Sequence, residues 1–124
     1  MTTRTITQIA RWCLQQRAAT QDNTFGPETD VYRIVGKIFA MVNFDSDGFI
    51  TLKADPADAE VLRQQHDYIR PGYYMNKQHW ITVDVVPDLP LDLVQELVAD
   101  SYSLVVGSLT RTQREGLASS PAGQ

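Results

Sequence analysis

Val31-Tyr32-Arg33-Ile34-Val35, Ile38-Phe39-Ala40-Met41-Val42-Asn43-Phe44 and Phe49-Ile50-Thr51-Leu52-Lys53 are three strand-like runs divided by Gly36-Lys37 and by Asp45-Ser46-Asp47-Gly48. The first run is β-branched-rich and the other two alternate, as strands with a buried side do. A two-residue break suits a tight hairpin, and the Asp-Ser-Asp-Gly break suits a second one. The stretch therefore predicts an antiparallel meander. Tyr32, Ile34, Phe39 and Met41 fall on one side of their strands. Val31, Arg33, Val35, Ile38, Ala40 and Val42 fall on the other. Both sides are apolar, so alternation alone leaves open which one meets the helices.

Outward from the meander the periodicity changes. From Thr5 to about Ala19, Ile6, Ile9, Ala10, Cys13 and Leu14 recur at helical spacing, and Thr5 with Gln8 has the form of a capping box. Residues 23–30, with Phe25-Gly26-Pro27, read as a turn region. After the meander, Asp55-Pro56-Ala57-Asp58 starts a helix that runs to about Asp67: a capping carboxylate, a proline for the first turn, and an acid at the positive end of the helix dipole. Its stripe is Ala59, Leu62 and His66, continuing to Ile69. Trp80 to Val86 alternates as a fourth strand, with Ile81, Val83 and Val85 on one face. Leu91 to about Leu109 is the longest helix, with Val94, Leu97, Val98, Ser101, Tyr102, Val105 and Leu109 facing inward. The order α-β-β-β-α-β-α gives an α+β fold, a mostly antiparallel sheet packed against helices, with its second face at least partly open. Residues 1–115 form a single domain, and the small, polar residues 116–124 read as a disordered tail.

At 124 residues the chain is long enough for one two-layer core. Its formal net charge of −4 repels polyanions at long range, so any nucleic-acid contact must come from a local patch. A single cysteine, Cys13, excludes an intramolecular disulfide and a cysteine-based zinc cluster, and its place on an apolar stripe reads as a small buried hydrophobe. No apolar run approaches the length of a membrane span, and the N-terminus lacks a signal-peptide core, so a cytoplasmic monomer without cofactor, metal or membrane is expected.

The connector Tyr68-Ile69-Arg70-Pro71-Gly72-Tyr73-Tyr74-Met75-Asn76-Lys77-Gln78-His79-Trp80 stands out against this acidic background. It holds aromatics, two fixed cations, a histidine and an asparagine, and no acid. Ordinary connectors are filled with Gly, Ser, Asp and Asn.

Phe25-Gly26-Pro27, Val31 through Ala40, Thr51-Leu52-Lys53-Ala54-Asp55-Pro56, Pro71 through Trp80, and Ser101-Tyr102-Ser103-Leu104-Val105, taken in order, carry a resemblance to the MmcQ/YjbR family of small bacterial proteins. It spans about residues 4 to 110. The resemblance implies a fold like that of the frataxin-type CyaY proteins, and members are described as DNA-binding-like on account of the sheet and its projecting hairpins. It brings no agreed catalytic residues. Tyr74 stands where many members have histidine. CyaY-type proteins bind iron through acids on the first helix. Here residues 5–19 contain no acid and carry Arg11 and Arg17, which argues against that inheritance.

Three functions are weighed. The first is a non-enzymatic module that contacts DNA. Arg33, Lys37, Lys53, Arg70 and Lys77 would hydrogen-bond phosphates, and Tyr73, Tyr74 and Trp80 would stack on bases. The second is a module for a small anionic ligand or a protein, using Asn76, Lys77, His79 and Trp80. The third is an enzyme, with His79 as acid or base. No Gly-x-Ser-x-Gly, His-Glu-x-x-His or phosphate-loop pattern supports catalysis, and His66 reads as structural. Asp45-x-Asp47-Gly48 lacks the other ligands of a calcium loop and reads as a turn. The first reading requires the cations between positions 33 and 80 to share one recess.

Overall fold

The computed structural model describes residues 2–72 and 76–118. Its elements are α1 (Thr2–Leu14), β1 (Thr20–Asp22), β2 (Thr29–Ile34), β3 (Lys37–Asn43), β4 (Phe49–Lys53), α2 (Pro56–Gln65), β5 (Ile69–Pro71), β6 (Trp80–Asp84), α3 (Leu91–Gly107) and α4 (Arg111–Ala118). The expected meander is β2-β3-β4. β6 joins β4, and two short strands close the edges, giving the order β1-β2-β3-β4-β6-β5 with every neighbouring pair antiparallel.

Register assigns the faces. Tyr32 lies opposite Ala40, Ala40 opposite Leu52, and Leu52 opposite Ile81, so these share one side. That side packs with Ile6, Ile9 and Cys13 of α1, Ala59 of α2 and Val94 and Val98 of α3 in one buried cluster. The opposite side carries the row Val31, Met41, Thr51 and Thr82. The sequence leaves this second face partly open, yet the row is buried. Its short threonines sit among the larger Phe49, Lys53 and Trp80 and hydrogen-bond each other, Thr51 Oγ1 to Thr82 Oγ1 at 3.0 Å.

Phe39 breaks the simple alternation. Tyr32 pairs with Ala40 but Arg33 pairs with Ile38, so β3 carries one extra residue there, a bulge. The bulge turns Phe39 away from the side of Met41 and into the helix-side cluster. There its ring meets Tyr102 of α3 edge-on, centroids 5.4 Å apart. Beyond Ala40 and Leu52 the β3-β4 ladder stops. The Ser101 hydroxyl bridges the gap, donating to Phe39 O at 2.5 Å and accepting from Lys53 N at 2.8 Å.

Several elements differ from the sequence reading. The first helix ends at Leu14, not near Ala19. Gln16 N and Ala19 N bond three residues back, and Ala18 adopts a positive φ of 60° that turns the chain into β1. The Thr5–Gln8 pattern thus lies inside α1. β1 and β5 are absent from the expected order because each is a three-residue strand recognisable only by its pairing. Residues 116–118, expected in the tail, belong to α4, and Leu117 is buried against the main cluster. The first hairpin turn is Val35-Gly36, with Lys37 already in β3 opposite Ile34.

Candidate functional site

The antiparallel register brings most of the suspected residues to one end of the sheet. β3 begins there with Lys37, β4 ends there with Lys53, β5 ends with Pro71 and β6 begins with Trp80. Two turns leave this end. The first is Val35-Gly36, whose φ values of 50° and 77° match the positive φ that a tight hairpin asks of both central residues. The second lies between β5 and β6, where residues 72 and 76–79 are described. Its return is an Asx turn: Asn76 Oδ1 accepts from Gln78 N at 2.8 Å, and Asn76 O accepts from His79 N at 3.2 Å. Its base is clamped to the sheet by Gly72 N donating to Trp80 O at 2.9 Å and Ala54 N donating to His79 O at 2.9 Å. Only glycine fits at 72, because a Cβ there would lie 2.5 Å from Trp80 Cβ.

The cations do not share one recess. Arg33 lies on the second sheet face and is held by Asp22 of β1, Nε to Oδ2 at 2.7 Å, with Nη1 reaching Gly36 O at 3.2 Å. The Thr24 hydroxyl and Arg33 together hold the Asp22 carboxyl down at about 2, well below the usual carboxylate range. Arg70, also on the second face but at the far edge, makes a two-point bridge to Asp84 at 2.7 and 2.8 Å and lies over the Phe49 ring. Lys37 pairs with the inward-facing Ile34, so it stands on the helix side. Its ammonium donates to Ser108 O at 3.2 Å, at the end of α3. That helix has no basic residue in its own last turn, and Lys37 supplies the positive charge that its negative dipole end favours.

Lys53, Asn76, Lys77 and His79 are left at the sheet end, and none of them takes part in an ion pair among the described residues. Lys53 sits opposite Trp80 in the ladder. Trp80 is only 8% exposed, which removes it as a stacking platform for a base. Tyr73 and Tyr74 lie outside the described residues. The carboxylate partners Asp22 and Asp84 were not legible as such. Asp22 shares a face with Arg33, and Asp84 with Arg70, only once β1 and β5 are in register.

The remaining chemical groups are structural. Burial pushes the Cys13 thiol far above its ordinary range, so it stays protonated, as its place on the apolar stripe suggests. His66 stacks on Tyr68, Nδ1 to the hydroxyl at 3.0 Å. Burial, and then the charge of Asp30, raise the Tyr32 phenol, whose hydroxyl donates to Asp30 at 3.0 Å. Among the described residues no three of His, Cys, Asp or Glu gather as metal ligands, and no helix is long and apolar enough to cross a membrane.

The protein is similar to a set of bacterial chains. The uncharacterized protein YbdF of Escherichia coli O157:H7 is 42% identical over 93 residues, 73% of this chain and 75% of its own. The uncharacterized protein YjbR of Escherichia coli K12 is 32% identical over 112 residues, 90% of this chain and 95% of its own. The crystal structure of Deinococcus radiodurans protein DR2400, described as a DUF419 domain, superposes with a TM-score of 0.83 at 32% identity, covering 91% of this chain and 87% of that one. A Pseudomonas syringae protein of known crystal structure matches with a TM-score of 0.68 at 26% identity, covering 79% of this chain and 96% of that one. The YjbR family profile matches residues 14–104, from the end of α1 through most of α3, and the chain belongs to the YjbR family.

Proposed function

We propose that this protein is a non-enzymatic module that binds the phosphate backbone of DNA across one end of its sheet, through three lysines in place of the expected common recess. The observation that carries the reading is that the Val35-Gly36 turn and the Asx turn at residues 76–79 both lie at that end. Three strand spacings, roughly 14 Å, separate the gap between β2 and β3 from the gap between β6 and β5, with Lys53 of β4 between them. Lys37, Lys53 and Lys77 are the phosphate donors, Lys37 exchanging its bond to Ser108 O for a phosphate oxygen. Arg33 and Arg70 are committed to Asp22 and Asp84 and brace the sheet edges. With so few contacts and a net charge of −4, binding is weak and steep in salt. Three cations correspond to a slope of about −3 in log affinity against log salt. Fluorescence anisotropy of a labelled duplex against salt tests this. The triple variant Lys37→Ala, Lys53→Ala, Lys77→Ala should bring the slope close to zero. A wild-type protein with no saturable binding at low salt would end the reading.

The second reading is a small anionic ligand seated at Asn76, Lys77 and His79, with Lys53 in place of the buried Trp80. It is favoured by the Ala54–His79 backbone bond, which ties the turn to the end of β4. Under it, native mass spectrometry of the purified protein shows a bound anion, and duplex DNA does not saturate.

A further inference from the structure

A groove of about 940 Å³ runs between α2 and α3 and reaches the sheet end at Lys53, Ala54 and Ser108. Its floor is apolar, built from Leu62, Leu93 and Leu97. Val61 and Leu104 stand on its walls, 48% and 37% exposed. Leu93, Leu97 and Leu104 recur at helical spacing on α3, a second apolar stripe beside the one that faces the sheet. The rim is acidic: Asp55 and Asp58 on one bank, Glu96 and Asp100 on the other. All four are exposed, and none takes part in an ion pair among the described residues. Lys53 is the one cation in the lining. The groove thus pairs exposed aliphatic side chains with carboxylates on both sides, of which Asp55 also caps α2.

We infer that this groove is a docking site for a basic amphipathic helix of a partner protein. The lining on α3 extends from Leu93 to Ser108, which at the α-helical rise is about 22 Å, room for a partner helix of about four turns. A helix laid in a groove presents apolar residues at i, i+3, i+4 and i+7. Here those side chains would cover Val61, Leu62, Leu93 and Leu104, while lysines or arginines flanking them meet the two acidic banks. Charge complementarity of this kind sets partner choice and encounter rate. It also repels a nucleic acid from the acidic banks, while Lys53 and Ser108, the acceptor of Lys37, lie on the border with the phosphate site.

A 15-residue synthetic helix with leucines at i, i+3, i+4, i+7 and i+11 and lysines on its flanks is the probe, titrated into ¹⁵N-labelled protein. We expect saturable shifts confined to α2 and α3. Glu96→Lys with Asp100→Lys should weaken binding at least about tenfold. Glu96→Gln with Asp100→Asn should weaken it less, and Leu104→Glu should also weaken it. Lys77→Ala should leave it unchanged. The melting temperature of each variant is followed to verify folding. The inference is overturned if the shifts map elsewhere, if the same peptide with glutamates in place of lysines binds equally well, or if spermine fully displaces the peptide. Self-association of the free protein through the groove would overturn it too.

Discussion

Ser101 shows how one side chain can complete a sheet. Its hydroxyl stands where the β3-β4 ladder should have continued, between Phe39 O and Lys53 N. The bulge that turns Phe39 into the helix-side cluster removes that ladder bond, and Ser101 replaces it. Ser101→Ala leaves a buried carbonyl and an amide without their partner, a loss of about 1–3 kcal/mol. Urea denaturation should report it as a lower midpoint with the slope unchanged. Asp22 makes a second prediction. Its folded carboxyl titrates at about 2 against an ordinary 3.8, held first by the Thr24 hydroxyl and then by Arg33. The folded-state value is depressed, so this contribution is present above about pH 4 and disappears as pH falls towards 2. Stability measured across that window should fall less steeply in Asp22→Asn than in the native chain. Arg33 and Arg70 were legible as cations, but their partners were not, because a three-residue edge strand leaves no periodic trace in a sequence.

At the scale of elements, the β2-β3 turn is the weak joint. Val35 holds φ at 50° in an exposed position, a conformation that a β-branched residue adopts only under strain. Val35→Asn should stabilise the fold by about 1 kcal/mol, because asparagine tolerates that region. Thermal unfolding of the variant checks it, and an unchanged or lower melting temperature would contradict the account. The strands on either side were easy to read because branched residues and alternation agree there. α4 was harder. Thr110 Oγ1 accepts from Gln113 N at 3.1 Å while Gln113 Oε1 accepts from Thr110 N at 2.9 Å, a reciprocal capping box. The same spacing at Thr5 and Gln8 looks like a helix start but lies inside α1. The pattern marks a beginning only when the residues before it leave the helix, and the small polar composition after Gly116 hid the one that does.

Across the whole molecule, position in the sheet separates groups that sequence distance had gathered. Residues 33, 37, 53, 70 and 77 all reach the same sheet end, yet Arg33 and Arg70 sit four strand spacings apart, each against a carboxylate. Lys37 stands on the helix side. Convergence at that end followed from the hairpin pattern. The division between faces depended on the Phe39 bulge, which no spacing announces. What remains for phosphate contact is Lys37, Lys53 and Lys77 at that end, while an acidic groove on the helix side faces another kind of partner. Chemical-shift mapping of ¹⁵N-labelled protein with a short DNA duplex at low salt tests this account most directly. It predicts shifts at Gly36, Lys37, Lys53, Lys77 and His79 that saturate and then vanish as salt is raised. Shifts centred on α2 and α3, or none at any duplex concentration, would contradict it.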